Sequence, residues 1–410
     1  MQLKRVVITG MGAISPYGKG CDVLFDALSS GRSCVRYHAE LDAFPEMGSR
    51  IAGIVSNVDI MKMPRKHKRS MSPMSIYALL AAHEAVAQAG LDEERLIGGR
   101  TGIVIGSTMG SAHTLEEFFR QYFSETSLSQ IRSMTFFRVM GHSAAANVAQ
   151  ALGITGRVFA PASACSTSCQ AIGMAYETIT LGKQDAIICG GTDEYHPFTT
   201  GTFDLLLAAS TGYNATPSRT PRPFDKDRDG IVCAEGAGVL VLESLESALA
   251  RGAAIMAEVS GFASTSDSSN IANPDPLPLY RCMQLALHDA GKKPEDVSYV
   301  NAHATATIQG DIAEGQAIAM LVGKVTPVSS LKGHMGHTMA ASGVLESIAC
   351  VKMLQHAVLL PTLNLETVDE ACGTINALQT KVEQPVSLIV KNSFALGGIN
   401  CSLVLQAYEE

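Results

Sequence analysis

The stretch Pro161-Ala-Ser-Ala-Cys165-Ser-Thr-Ser-Cys-Gln-Ala171-Ile-Gly-Met-Ala-Tyr-Glu177 decides the reading of this chain. It follows a β-like segment and passes into a run of small residues with helical character, so Cys165 stands at a strand-to-helix turn. A thiol there meets free backbone N–H groups and the positive end of the helix dipole, and both favour thiolate. A lone cysteine is more often a small buried hydrophobe, and Cys169, one turn further on, fits that description. Two later segments set Cys165 apart. Asn301-Ala-His303-Ala-Thr305-Ala-Thr307 and Lys332-Gly-His334-Met-Gly-His337-Thr-Met-Ala-Ala-Ser342-Gly343 each place a histidine among small residues in a strand–loop–helix setting. A nucleophile with two imidazoles points to chemistry on a covalently held acyl group. Lys332 reads as a fixed charge tuning the histidines, with Glu346 as its counter-ion.

Working outward, the chain reads as a divergent duplication. Ala78-Leu-Leu-Ala-Ala-His-Glu-Ala-Val-Ala-Gln-Ala-Gly90 is a helical pattern closed by glycine where a left-handed cap belongs, and Tyr280-Arg-Cys-Met-Gln-Leu-Ala-Leu-His-Asp-Ala-Gly291 repeats it. Each is followed by a strand and loop, Gly102–Gly110 and Val297–Thr305. The Cys165 helix then has a counterpart beginning near His337. Superposed halves would aim both helix N-termini into one shared cleft. Strands alternating with helices predict α/β layers.

Composition bounds the class. The chain has 410 residues, 46% hydrophobic and 17% charged, and a net charge of −8, which fits a globular protein without a nucleic-acid footprint. No run reaches a membrane span, and the opening segment reads as a strand and turn and not as a secretory signal. Ten scattered cysteines without CxxC pairs suggest reduced thiols in a cytoplasm. Asp225-Lys-Asp-Arg-Asp-Gly230 imitates a calcium loop, but Gly236 stands where the twelfth-position glutamate belongs. Gly10-Met-Gly12 lacks a dinucleotide fingerprint, and there is no Walker sequence. His334, His337 and Cys165 could nominally bind zinc, yet no acidic ligand lies near either histidine in sequence, so no metal is expected. Arg65-Lys-His-Lys-Arg69 is the one dense basic run, a solvated loop or a docking patch for an acidic partner.

Taken in order, Val6-Val-Ile-Thr-Gly-Met-Gly12, Ser163-Ala-Cys165-Ser166, Arg222-Pro-Phe-Asp-Lys-Asp-Arg-Asp-Gly230, Glu235-Gly-Ala-Gly238, His303, Gly336-His337 and Asn392-Ser-Phe394 resemble the β-ketoacyl-acyl-carrier-protein synthases, most closely the elongating type II ketosynthases. The resemblance spans essentially the whole chain. It implies the thiolase fold, two duplicated α/β halves at residues 1–254 and 255–410 forming a five-layered α-β-α-β-α core. The implied activity is decarboxylative Claisen condensation of malonyl-acyl carrier protein with an acyl group on Cys165. The catalytic residues would be Cys165, His303 and His337 with Lys332 in support, and the N–H groups of Cys165 and Leu396 would form the oxyanion hole. Thr305 and Thr307 would contact pantetheine. Phe394, Leu396 and Met109 would make the gate and acyl pocket, and Lys66, Lys68 and Arg69 would greet the carrier. No intrinsic cofactor is implied; substrates ride on the carrier's phosphopantetheine. The partners implied are that carrier and either a second copy or a chain-length-factor-like paralogue.

Departures from the family pattern bear on substrate. Ala304 replaces the usual glycine after the histidine, Leu396 stands in place of a gating phenylalanine, Ser163 replaces threonine, and Cys233-Ala234 replaces a Met-Gly-like pair. These changes favour a specialised polyketide or polyene synthase over the housekeeping fatty-acid enzyme. A thiolase using Cys401 as base, or a non-catalytic chain-length-factor-like subunit, are the rivals; His303 speaks against the first and Cys165 against the second.

Overall fold

Pro73 opens a helix behind Ser72, and Gly90, at φ +66°, closes it as its pattern predicts. That helix, Pro73–Ala89, is α1; the others used below are α2 (Ala112–Glu125), α3 (Ser143–Leu152), α4 (Thr167–Thr180), α5 (Pro276–Asp289), α6 (Ile308–Val322) and α7 (Ser342–His356). The computed structural model describes residues 3–56, 58, 65–125, 128–129, 131–268 and 270–409.

Strands of the first half are β1 (Val6–Ser15), β2 (Thr101–Gly106), β3 (Val158–Phe159), β4 (Ala186–Asp193) and β5 (Gly236–Ser244). Those of the second are β6 (Ala257–Ser266), β7 (Tyr299–Asn301), β8 (Pro327–Ser329), β9 (Leu388–Ala395) and β10 (Ile399–Gln406). The spatial order is β3-β2-β4-β5-β1 in one half and β8-β7-β9-β10-β6 in the other. The pairing senses match as well: β2 runs parallel to β3 and β4, as β7 does to β8 and β9, and the remaining pairs are antiparallel. A repeated order with repeated directions is the imprint of duplication. The half-sheets meet where Val6, Val7 and Ile8 of β1 pair with Val259, Glu258 and Ala257 of β6.

Five layers follow from what each apolar face covers. Helices α1 and α3 pack on the outer face of the first half-sheet, and α5 and α6 on the outer face of the second. Between the half-sheets lie α4 and α7, each touching strands of both. Residues 342–351 of α7 are buried on every side, which explains why its sequence shows little amphipathic periodicity. Gly343 lets the central helices cross closely: a Cβ there would lie 2.8 Å from Ser168 Oγ and 3.0 Å from Cys169 N.

The calcium-like segment is a strut. Asp225 accepts N–H bonds from Asp227, Glu366 and Thr367 and pairs with Arg222 at 3.1 Å, so its oxygens are already used. Among the described residues, no helix is long and apolar enough to cross a membrane.

Candidate active site

Both central helices are entered the same way, through a single 3₁₀ turn: Ala164–Ser166 before α4 and Met339–Ala341 before α7. Each turn starts on a non-glycine residue in the left-handed region, Ala164 at φ +48° and Met339 at φ +50°. Such conformations are costly and persist where surroundings enforce them. Here the enforcement is mutual. Gly191 of β4 leaves room for Ala340 O and Ser168, and Asp193 accepts the Ala340 N–H at 2.8 Å. The outcome is Cys165 and His337 facing each other at the ends of α4 and α7.

His303 arrives from the second half, on the loop between β7 and α6. Glu314 of α6 holds that loop by accepting the N–H groups of His303 and Ala304 at 2.8 and 2.6 Å, and Asn392 donates to the same carboxylate. Ala304 needs no positive φ; the left-handed residue is Ala306, at +70°. The reactive atoms of Cys165, His303 and His337 all lie within 4.8 Å of one another, and the imidazole rings are 5.3 Å apart at 81°.

The protonation state of His337 follows from its neighbours. Its Nδ1 accepts the Met339 N–H at 3.1 Å and lies 2.7 Å from Ser342 Oγ. A nitrogen that accepts a backbone N–H carries no proton, so the proton of the neutral ring sits on Nε2, which is buried and unpartnered. The site thus offers a hydrogen-bond donor and not a lone pair, which suits an oxyanion and not a metal cation. Burial first, then the charge of Lys332, holds both His303 and His337 well below the ordinary histidine value. His334 stands outside this cluster, so the nominal zinc trio is not assembled.

Lys332 is fully buried, with its Nζ 2.5 Å from Glu346 Oε1, as the sequence suggested. Burial lowers its pKa, and Glu346 opposes that. The expectation of a resting thiolate is corrected. Burial pushes the Cys165 thiol up to about 11, against the pull of Lys332 and of the Leu396 and Cys165 N–H groups. Desolvation outweighs the helix end. The alkylation rate of Cys165 by iodoacetamide should therefore climb about tenfold per pH unit from about pH 7 to about pH 10, and Lys332→Met should slow it throughout. A plateau below pH 8 would contradict this.

A cavity of about 390 Å³ opens on Cys165, His303 and His337 and is also lined by Thr305, Thr307, Phe394 and Leu396. Leu396 is 43% exposed at its mouth, while Phe394 is buried with its ring 6.5 Å from His303. Met109 is not brought into the cavity. Its neighbour Thr108 is tied to Asp193 through both N–H and hydroxyl, and the chain turns at Gly110, leaving Met109 48% exposed. Cys401 lies buried beside Ser264, 3.7 Å away, and does not line the cavity, so a thiolase-type second cysteine is missing from it. Lys68 and Arg69 line a separate hollow with Arg132 and Arg138; the Lys66 side chain lies outside the described residues.

The family profile described as Beta-ketoacyl synthase, N-terminal domain, matches residues 3–248, and the Beta-ketoacyl synthase, C-terminal domain, matches residues 256–366. The chain belongs to the β-ketoacyl synthase family. It is an acyltransferase that condenses malonyl-acyl carrier protein with an acyl chain. The 3-oxoacyl-[acyl-carrier-protein] synthase 1 of Haemophilus influenzae is 36% identical over 410 residues, covering 99% of this chain and all of its own. A β-ketoacyl synthase structure from Burkholderia phymatum matches with a TM-score of 0.95 at 40% identity, over 99% of this chain and 100% of that one. The ishigamide ketosynthase/chain length factor matches at 0.91 and 31%, over 99% and 100%. A type II polyketide synthase acyl-carrier protein in complex with its ketosynthase, bound to the hexaketide, matches at 0.91 and 30%, over the whole of both chains.

Two groups that shape the site, Glu314 and Asp193, went unread in the sequence, and so did a buried charge, Lys391. Glu314 had a signal, since it follows the histidine loop on a helix whose neighbours are mostly apolar. Lys391 had a stronger one, as a charge inside the buried strand Leu388-Ile-Val-Lys-Asn392.

Proposed function

We propose that this synthase builds a specialised polyketide or polyene chain on Cys165, and that Leu396 is the residue that adapts it. The carrying observation is the gate: a short, half-exposed aliphatic side chain lining the cavity that opens on the nucleophile.

The residues divide the reaction as follows. Cys165 Sγ attacks the thioester carbonyl of a carrier-bound acyl group. The developing O⁻ is met by the N–H groups of Cys165 and Leu396, and the departing carrier thiol takes the proton that Cys165 loses. Malonyl-carrier then enters. The Nε2–H of His337 and a ring N–H of His303 hold its thioester oxygen, so the electrons of the breaking C–CO₂ bond collect in an enolate facing donors. That carbanion attacks the acyl–Cys165 carbonyl, the cysteine leaves as thiolate, and a β-ketoacyl chain two carbons longer remains on the carrier. Thr305 and Thr307, 3.1 Å apart at the cavity wall, supply hydroxyls for the pantetheine arm.

The carrier would dock on Lys68, Arg69, Arg132 and Arg138, a concentration of positive charge on a chain of net charge −8. A second subunit, an identical copy or a chain-length-factor-like paralogue, would cover the open edge of β3. Val158 and Phe159 there are 45% and 40% exposed and, among the described residues, β3 pairs only with β2, the kind of edge proteins seldom leave bare. The proposed setting is the cytoplasm, with no bound cofactor.

Mass spectrometry of Cys165 after exposure to a panel of acyl-carrier proteins tests the reading, with Cys165→Ala as control. Loading restricted to acetyl, unsaturated or poly-keto chains is expected. Ready loading of saturated medium and long chains would return the enzyme to fatty-acid elongation and defeat the argument from Leu396.

A further inference from the structure

Strand β9 buries a lysine that the reaction described above does not use. Lys391 is fully enclosed, and its Nζ lies 2.6 Å from Asn392 O, 2.7 Å from Ser393 Oγ and 2.8 Å from Glu346 Oε2. Glu346 gives its other oxygen to Lys332. One buried carboxylate is therefore shared by two buried ammonium groups. A purely structural ion pair needs one cation. A second one, buried at high desolvation cost, calls for a reason.

Besides Glu346, the thiols Cys169 and Cys350 act on Lys391, and Lys332 and both catalytic imidazoles feel its charge. Burial pulls Lys391 down, but Glu346 with the thiols Cys169 and Cys350 together outweigh it and leave the pKa above the ordinary lysine value. Lys391 also counts with Lys332 among the charges that disfavour protonation of His303 and His337. The chain Lys391–Glu346–Lys332 thus runs from the interior of β9, across α7, to the reactive cluster.

We propose that Lys391 is a positioning residue, a monovalent cation tethered to the fold, which fixes Glu346 and through it holds Lys332 against the catalytic histidines. This rests on the condensing reaction assigned to the site. The three oxygens around Nζ are a carboxylate, a peptide carbonyl and a hydroxyl, a set that a free ammonium or potassium ion also accepts. Removing the side chain should leave a vacancy of the right chemistry for such an ion.

The experiment compares Lys391→Met and Lys391→Ala with the unmodified enzyme. The readouts are CO₂ release from malonyl-carrier across pH and iodoacetamide alkylation of Cys165, with circular dichroism to confirm folding. Methionine fills the space without charge, and Glu346 keeps Lys332 as its counter-ion, so no uncompensated charge is left buried and the variant should fold. Its CO₂ release should fall roughly ten- to hundredfold. The acid limb should move to higher pH, because losing a neighbouring positive charge makes the imidazoles easier to protonate. Lys391→Ala should lose as much in choline chloride and recover severalfold in ammonium or potassium chloride of equal ionic strength. The unmodified enzyme and the methionine variant should not respond to the ion.

Alkylation gives a readout free of any substrate. Glu346, released from Lys391, would bind Lys332 with both oxygens and weaken its pull on the thiol, so Cys165 should react more slowly. A folded Lys391→Met enzyme with unchanged rate, pH profile and alkylation would overturn the proposal. So would a loss in Lys391→Ala that neither ion relieves. Absence of CO₂ release from the unmodified enzyme would instead strike the condensing reaction, leaving alkylation to judge Lys391.

Discussion

Cys165→Ala is expected to stop chain extension, by at least ~10³-fold, while CO₂ release from malonyl-carrier continues. The two half-reactions use different groups. The thiol receives the acyl chain, whereas the oxyanion formed on decarboxylation faces His303 and His337, which are held by Glu314, Met339 and Ser342 and not by the cysteine. Alanine removes one sulfur from the end of α4 and leaves the turn intact. Lacking an acyl acceptor, the enolate takes a proton and appears as an acetyl thioester. Labelled-CO₂ release and product mass, measured on the same sample, decide the matter. Loss of both activities together would mean that the thiol also organises the histidines.

His337→Ala should reverse that pattern. CO₂ release should drop by ~10²–10³-fold, the usual worth of one oxyanion donor, while acyl transfer to Cys165 persists. His337→Gln, whose amide can still donate, should lie between the two. The pH dependence has a definite sign. Both rings are held neutral well below the ordinary histidine value, so CO₂ release should persist as pH falls through the usual imidazole range and fail only below it. Protonation of Nδ1 would set a proton against the Met339 N–H and remove its acceptor, which adds to the resistance. A rate that halves near the ordinary histidine pKa would contradict the His337 assignment.

Much of this was legible in the sequence because it is written in local spacing. Gly90 and Gly291 close their helices where the apolar period ends, and the order of strands around them carries the duplication. Cys165, His303 and His337 stand out because small residues surround them, and Lys332 with Glu346 pairs as their positions on one short helix and the next suggest. What stayed hidden depends on distance in space. Lys391 is 45 residues from Glu346 in the chain, so no spacing rule joins them. Met109 sits on a suggestive glycine loop, but its direction is set by Thr108 reaching Asp193 across the sheet. Thiol acidity was misjudged for a related reason: a helix end is visible in sequence, and the depth at which it is buried is not.

The central helices have one more consequence. Since α4 and α7 each pack against strands of both halves, neither half owns a complete interior. Severed at the exposed turn around Gly252, each fragment would carry a helix with a large apolar surface and nothing opposite to receive it. Ancestry made two repeats, but the shared middle layer should make them unfold together, and a single calorimetric transition is the expected result. Catalysis inherits that indivisibility: the nucleophile and the groups that activate its partner substrate exist as a site only while both repeats are folded together.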